Sequence, residues 1–195
     1  FDPSPGTNGV ACLMANGQIA VFRYDVGESK NVTAKLDAAG GDGFKPRCDL
    51  PILVGIYEVL LEDCSSYPMN IQHFLWLPSD HFLFTTINDS SSASILHFGY
   101  ISSEKKAIVV KNSLPVEAYI LGAALNESTN HVAVQLSTGD ILKFVPESES
   151  LLPWQTNAGD AVKFPIICTE MAVTSIGNEE VVLGLTERFR FYVNG

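Results

Sequence analysis

The sequence predicts an all-β chain of propeller type, and three observations carry that prediction. Two apolar-rich strands joined by a short polar turn recur at residues 10–24, 82–100, 132–145 and 180–193. The last three turns, near Ser91, Thr138 and Glu187, lie about 47 to 49 residues apart, close to the ~40–50 residues of one propeller blade. Each of these three hairpins also has an apolar strand before it, at 71–77, 119–125 and 171–176. Strand, hairpin and following strand make the four antiparallel strands of a blade.

Turn chemistry brackets the strands in order. In the first hairpin Cys12-Leu13-Met14 runs into Asn16-Gly17, the dipeptide best suited to the left-handed backbone of a type I′ turn. Residues 19–24 then return as a strand. The next strand is expected at 32–36 or at 52–61, two stretches separated by a Gly-rich segment at 38–43. The second hairpin turns through Asn88-Asp89-Ser90-Ser91-Ser92, too polar for anything but a surface loop, and 107–111 reads as its outer strand. The third goes out over 131–136, turns at Thr138-Gly139-Asp140 and comes back until Pro146, with 161–167 as the expected outer strand. In the fourth, 181–185 and 188–193 flank Thr186-Glu187, and Arg188, Arg190 and Tyr192 alternate with Phe189, Phe191 and Val193. Such alternation gives one wet and one packed face. The first hairpin shows no strand before it and the fourth none after it. The expected architecture is therefore a WD40-like β-propeller fragment of two complete four-stranded antiparallel blades flanked by two partial ones, divided near 1–68, 69–115, 116–168 and 169–195. The start at Phe1, without an initiator Met, is expected of a segment from a longer protein.

Composition narrows the function. With 12 Lys and Arg against 22 Asp and Glu, the net charge is −10. Nucleic-acid binders cluster basic residues to neutralise phosphates, and here Lys105-Lys106 and 45–47 are the densest basic runs. An acidic chain suits solubility or a basic protein partner better. No apolar run approaches the ~18–20 residues that span a bilayer, so no membrane role is expected. Cys12, Cys48, Cys64 and Cys168 lie far apart without a CxxC pair, match no zinc pattern, and read as reduced, mostly buried thiols. The sequons at Asn31, Asn88 and Asn126 carry no meaning without secretion.

No pattern of catalytic residues emerges. A Gly-x-Ser-x-Gly elbow and a P-loop are absent, and Gly40-Gly41-Asp42-Gly43 lacks both the GxGxxG spacing and the Lys-Ser/Thr that would cradle a phosphate. It reads as an inter-strand loop. His73, His81, His97 and His131 occur singly, in or beside strands, and read as structural. Glu62-Asp63 and Glu179-Glu180 could suggest the paired carboxylates of glycoside chemistry. Both pairs abut strand ends, where neighbours point to opposite faces, and read as solvated charges. Trp76, ahead of Leu77-Pro78, reads as core capped by a turn. Trp154, in Leu151-Leu152-Pro153-Trp154-Gln155, either clamps a blade junction or stands exposed as a partner anchor. The candidate partner-binding residues are Trp154, Arg188, Arg190 and Tyr192. No catalytic, cofactor-binding or metal-ligating residue is assigned.

Several of these stretches, taken in order, resemble the large scaffold subunit of the Elongator complex (the IKAP family). They are Lys35-Leu36-Asp37-Ala38-Ala39-Gly40-Gly41-Asp42-Gly43-Phe44-Lys45, Gln135-Leu136-Ser137-Thr138-Gly139-Asp140-Ile141-Leu142-Lys143-Phe144, Leu152-Pro153-Trp154 with Val162-Lys163-Phe164-Pro165, and the tail from Gly177 to Phe191. The likeness is collinear over nearly the whole chain and weakest around 49–68. It implies part of the second of two WD-repeat-type propellers on the N-terminal side of that subunit. It further implies a non-catalytic scaffold in a complex that modifies wobble uridines of tRNA, in the cytoplasm and also the nucleus. The implied partners are the catalytic radical-SAM/acetyltransferase subunit and the second WD-repeat subunit, with tRNA met only indirectly and no cofactor. The Gly-His and Trp-Asp signatures usual in WD repeats are absent here. Two other readings come from the residues alone: a stand-alone peptide-binding propeller module, and a propeller hydrolase. The hydrolase requires at least two of Glu62, Asp63, Asp140, Glu179 and Glu180 to converge.

Overall fold

A computed structural model describes residues 2–3, 9–24, 51–61, 70–88, 93–156, 158–164, 167–186 and 191–194. Strands consecutive in the chain pair antiparallel, giving meanders. The first comprises β1 (Asp2–Pro3), β2 (Gly9–Leu13), β3 (Ile19–Tyr24) and β4 (Pro51–Leu60). The two-residue β1 pairs with β2 through Asp2↔Ala11 and Pro3↔Val10, so the first hairpin does have a strand before it, too short to show as a sequence pattern. Of the two candidates after this hairpin, β4 is the one that pairs with β3; the stretch 32–36 lies outside the described residues, as does the Gly-rich loop at 38–43.

The first turn forms differently from expectation. Gly17 alone is left-handed, at φ +81°. Its N–H donates to the Met14 carbonyl at 2.9 Å, and the Met14 N–H donates to the Gln18 carbonyl at 2.8 Å. This is a three-residue loop ending in a left-handed glycine. The same loop closes the third hairpin: Gly139, at φ +88°, donates to the Leu136 carbonyl at 2.9 Å. A Cβ on Gly139 would come within 2.4 Å of the Phe164 carbonyl oxygen, so glycine is required there twice over, by conformation and by space.

The second meander runs through β5 (Ile71–Leu77), β6 (His81–Asn88), β7 (Ala93–Ser102) and β8 (Ala107–Val116). A short helical turn at Pro78–Asp80 follows Trp76 and Leu77, both buried. β8 runs five residues beyond the expected 107–111 and carries Pro115 opposite Ile95. Proline is tolerated because β8 is paired on its other side only through Ala107–Val109, which leaves Pro115 on an edge.

The third meander holds β9 (Ile120–Leu125), β10 (Val132–Leu136), β11 (Ile141–Val145) and β12 (Ser150–Pro153). Its outer strand is β12, where the sequence had suggested 161–167. The tight turn after Pro146 brings the chain straight back onto β11, with Leu152 opposite Lys143. Residues near Val162 then join the sheet by single bridges, Gln155↔Ala161 and Asp140↔Lys163. The fourth sheet is β13 (Glu170–Ile176), β14 (Glu179–Leu185) and β15 (Phe191–Asn194), in that order.

The sheets stack face to face, and their middle strands are buried on both sides. On β10, Val132, Val134 and Leu136 belong to the core shared with Leu77, Leu83 and Phe98 of the second meander. Ala133, one step out of phase, joins Trp154, Val162, Phe164 and Val182 toward the fourth sheet. On β6, Phe82 and Phe84 face Ala11, Ile19 and Val21 of the first meander, with Leu83 pointing the other way. A strand with a core on each face reads as a continuous apolar run, which is why residues 132–136 and 82–84 show no polar alternation. The first strands of successive meanders, β1, β5, β9 and β13, lie side by side. At the opposite edge β4 and β8 pair in parallel, Glu58–Leu60 against Ala107–Val109. Fourth strands of successive meanders point the same way, so a contact between them has to be parallel. The first two meanders thus form one eight-stranded sheet folded over its core.

Candidate functional site

The densest polar cluster joins the third and fourth sheets around one carboxylate. Glu180, the second residue of β14, reaches out of its own sheet toward the open end of the β10–β11 hairpin. Its Oε1 accepts from Asn126 Nδ2 at 3.0 Å, from His131 Nδ1 at 2.9 Å and from the Thr129 hydroxyl. Its Oε2 accepts from the Lys143 ammonium. Asn126 Nδ2 also donates to Ser175 Oγ at 3.0 Å, while Asn126 Oδ1 accepts from the Ser128 hydroxyl at 2.6 Å. Burial pushes the Glu180 carboxyl up, but the hydrogen bonds from Lys143, Thr129 and His131, with the His131 charge, outweigh it and bring it down to about 2. The expectation of a solvated loop charge therefore fails for Glu180, though it holds for the exposed Glu179. Asn126, an apparent sequon, is buried inside this cluster.

Lys143 connects the cluster to an apolar clamp: its Nζ lies 5.1 Å from the centroid of the Trp154 ring, within cation–π range. Of the two settings the sequence allows for Trp154, the structure has the buried one, at 3% exposure among Val162, Phe164 and Val182. The ring cannot anchor a partner while these sheets stay docked. Arg188 and Arg190 lie outside the described residues, and of Tyr192 the backbone is described, opposite Gly184 in β15.

The other histidines are held by the fold. His97, buried on β7, bonds Thr86 Oγ1 at 2.9 Å and Ser113 Oγ at 2.8 Å, and stacks on Phe84. Burial lowers its pKa to about 4. His81 stacks on Phe98 at 5.2 Å between centroids. Of the carboxylates that might have converged, Asp140 sits at the closed end of the β10–β11 hairpin, 3.2 Å from Lys163 Nζ. Glu180 is engaged against the open end. Glu62 and Asp63 lie outside the described residues. Among the described residues no group of three or more His, Cys, Asp and Glu is arranged to hold a metal. Cys12 is half-buried and Cys168 is buried; Cys48 and Cys64 lie outside the described residues.

One cavity, of about 840 Å³, opens where β5, β9 and β13 run together. Gln72, His73, Thr85, Gln135, Thr169 and Glu170 supply its polar lining. Burial holds His73 below its usual pKa, against a hydrogen bond with the Ile120 backbone. The Gln135 amide is spent on the Cys168 backbone, accepting from its N–H at 2.9 Å and donating to its carbonyl at 3.2 Å.

Residues 3–195 match the family described as the ELP1 N-terminal second beta-propeller. The chain belongs to this family. It is 35% identical over 200 residues to the Elongator complex protein 1 of Mus musculus, covering 96% of this chain and 15% of that protein. The corresponding protein of Oryctolagus cuniculus is 34% identical over 199 residues, again 96% of this chain and 15% of that one. A putative elongator complex protein 1 of Xenopus laevis is 29% identical over 198 residues, all of this chain and 17% of its own length. The chain thus spans about a sixth of these relatives. Membership in an ELP1-type second propeller agrees with the stacked all-β sheets and with the resemblance read from the sequence. Sequence reasoning missed Glu180 because its partners Lys143, His131, Thr129 and Asn126 lie 37 to 54 residues away, in another repeat, where no local spacing could point to them.

Proposed function

We propose that this chain is a non-catalytic scaffold segment of the Elongator complex, whose activity is the modification of wobble uridines in tRNA. The observation that carries the reading is the match to the second-propeller family over residues 3–195. Its partners in this reading are the catalytic radical-SAM/acetyltransferase subunit and the second WD-repeat subunit. tRNA is met only through the assembly, in the cytoplasm and nucleus. A scaffold role is supported by where the polar side chains go: Glu180, Asp140 and His97 are each engaged in holding strands or sheets together. A contact role is supported by apolar residues exposed on β4, namely Ile52, Leu53, Val54 and Ile56, since contiguous exposed apolar surface marks interaction sites. We keep Arg188, Arg190 and Tyr192 as partner-contact candidates on their alternation, with β15 at the edge of its sheet. The blade divisions near 68, 115 and 168 remain our reading; their support is that β4 ends at Leu60 before β5 starts at Ile71, and β12 ends at Pro153 before β13 starts at Glu170.

Affinity purification of the full-length protein that carries this domain tests the proposal. Co-purification of the other Elongator subunits is expected. Their absence would overturn it and leave the stand-alone peptide-binding module as the reading.

A further inference from the structure

Asn16-Gly17 closes the first hairpin, and its chemistry differs from that of the matching loop at Gly139. Asparagine is a chemically labile residue. Before glycine its side-chain carbonyl is open to the following backbone nitrogen, because no Cβ screens the approach. Attack of the Gly17 nitrogen on Asn16 Cγ forms a C–N bond and closes a succinimide ring. The side-chain amide leaves as ammonia, carrying off the Gly17 N–H proton. Water then opens the ring at either carbonyl and leaves aspartate or isoaspartate. The sequence of steps consumes water, releases ammonia and needs no oxidant or reductant. In the loop at Gly139, Thr138 stands where Asn16 stands in the first, and its hydroxyl offers no carbonyl to attack.

Asn16 is exposed, so water and hydroxide reach it, yet the groups that ring closure needs are all engaged. The Gly17 N–H donates to the Met14 carbonyl at 2.9 Å. Asn16 Oδ1 accepts from the Gln18 N–H at 3.1 Å, and Asn16 Nδ2 donates to Gln18 Oε1 at 2.7 Å. Gln18 is held in turn from β4, its Nε2 donating to Glu58 Oε1 at 3.4 Å. The Gly17 nitrogen can lose its proton and swing onto Cγ only after these bonds break, which requires the end of the hairpin to open locally. Of the three Asn-Gly pairs in the sequence, at 8–9, 16–17 and 194–195, this is the one with both residues described. We propose that Asn16 is a site of spontaneous deamidation whose rate is set by opening of this loop, with Gln18 as its latch. Aspartate at this position adds a negative charge near Glu58, which shares Gln18 with it. Isoaspartate lengthens the main chain of a loop that the Gly17–Met14 and Met14–Gln18 backbone bonds hold closed. This goes beyond the assignment to Elongator and does not rest on it.

The test incubates the full-length protein in mildly alkaline buffer beside a free peptide of residues 12–20. Site-resolved mass spectrometry follows aspartate and isoaspartate at Asn16 separately from the other two pairs. Conversion in the folded protein is expected to be about tenfold or more slower than in the peptide, since opening must come first. Gln18→Ala removes the amide that holds Asn16 Nδ2 and is expected to speed conversion about threefold, with hydrogen exchange at β6 as in the parent. Equal rates in folded protein and peptide, or a Gln18→Ala rate no faster than the parent's, would overturn the proposal. So would the absence of product at Asn16 in the folded protein after many half-lives of the peptide. Faster conversion in Gln18→Ala accompanied by faster exchange at β6 would trace the effect to global unfolding and overturn the role of the loop.

Discussion

The junction between the first two meanders and the junction between the third and fourth sheets solve the same docking problem by different means. At the first, β4 and β8 extend a backbone ladder across the gap, over a core of Val21, Trp76, Phe82 and Ile108. At the second, no strand pairing crosses between the sheets among the described residues; Trp154 with its apolar neighbours and the Glu180 cluster hold them. A backbone ladder depends little on which side chains are present, whereas a side-chain junction depends on each of its members and on their charge. The fourth sheet should therefore undock on changes that leave the first junction intact.

The largest expected effect is at the clamp. Trp154→Ala removes a side chain 3% exposed, and large-to-small core changes of this kind cost about 3–5 kcal/mol. Hydrogen exchange in the full-length protein should show β13 and β14 losing protection while β3 and β6 keep theirs. Equal losses in β6 would mean that the two junctions are not independent. Next comes Glu180→Gln, which leaves Lys143 and His131 without their carboxylate. Hydrogen bonds to charged groups contribute about 1.5–3 kcal/mol. Partial solvent access to this site, with 14% of the Glu180 side chain and about a quarter of its partners exposed, sets the expected loss at the lower end. The same exchange experiment reads it, with protection lost at β14 and retained at β8.

The unequal junctions also explain what the sequence makes legible. The hairpins are readable because turn residues and apolar runs are local signals; they place the turns at Gly17 and Gly139, although the first closes as a three-residue loop and not as the expected type I′ turn. The choice of β12 over 161–167 was not, since both stretches are short and apolar and only the turn at Pro146 decides between them. β1 is too short to have a period. Of the candidate site residues, Trp154 could be narrowed to two settings, but its burial depends on Val182 from the next repeat. Glu180 looked like half of an exposed acidic pair because the groups that hold it come from another sheet. What the sequence hides is whatever is made between repeats.

Acid should separate the two kinds of structure in order. His97 titrates at about 4 when folded, below its ordinary 6.5. Between those values the unfolded chain binds the proton that the folded one refuses, so stability falls as pH drops from about 6.5 toward 4. Glu180, folded at about 2 against 4.5, contributes stability above 4.5 that is lost as pH falls toward 2. Amides of β6 to β8, around His97, should thus loosen before those of β14. His97→Gln should flatten the upper window and leave the lower one unchanged; a pH profile with a single step common to both regions would contradict this order.

The smallest expected effect completes the contrast. The first junction has an ion pair of its own: Arg23 on β3 reaches Asp80 in the turn after β5, at 3.1 Å. Here the side chains are 52% and 45% exposed, so water already solvates both charges and holding two long side chains in one geometry offsets much of the attraction. Exposed pairs of this kind contribute roughly 0–1 kcal/mol. Arg23→Ala is expected to fall within that range and to leave exchange at β3, β4 and β8 unchanged, because the parallel ladder and the core beneath it hold that junction. A loss comparable to that of Glu180→Gln would mean that the two junctions are held in the same way, and that the ladder between β4 and β8 carries less than its geometry implies.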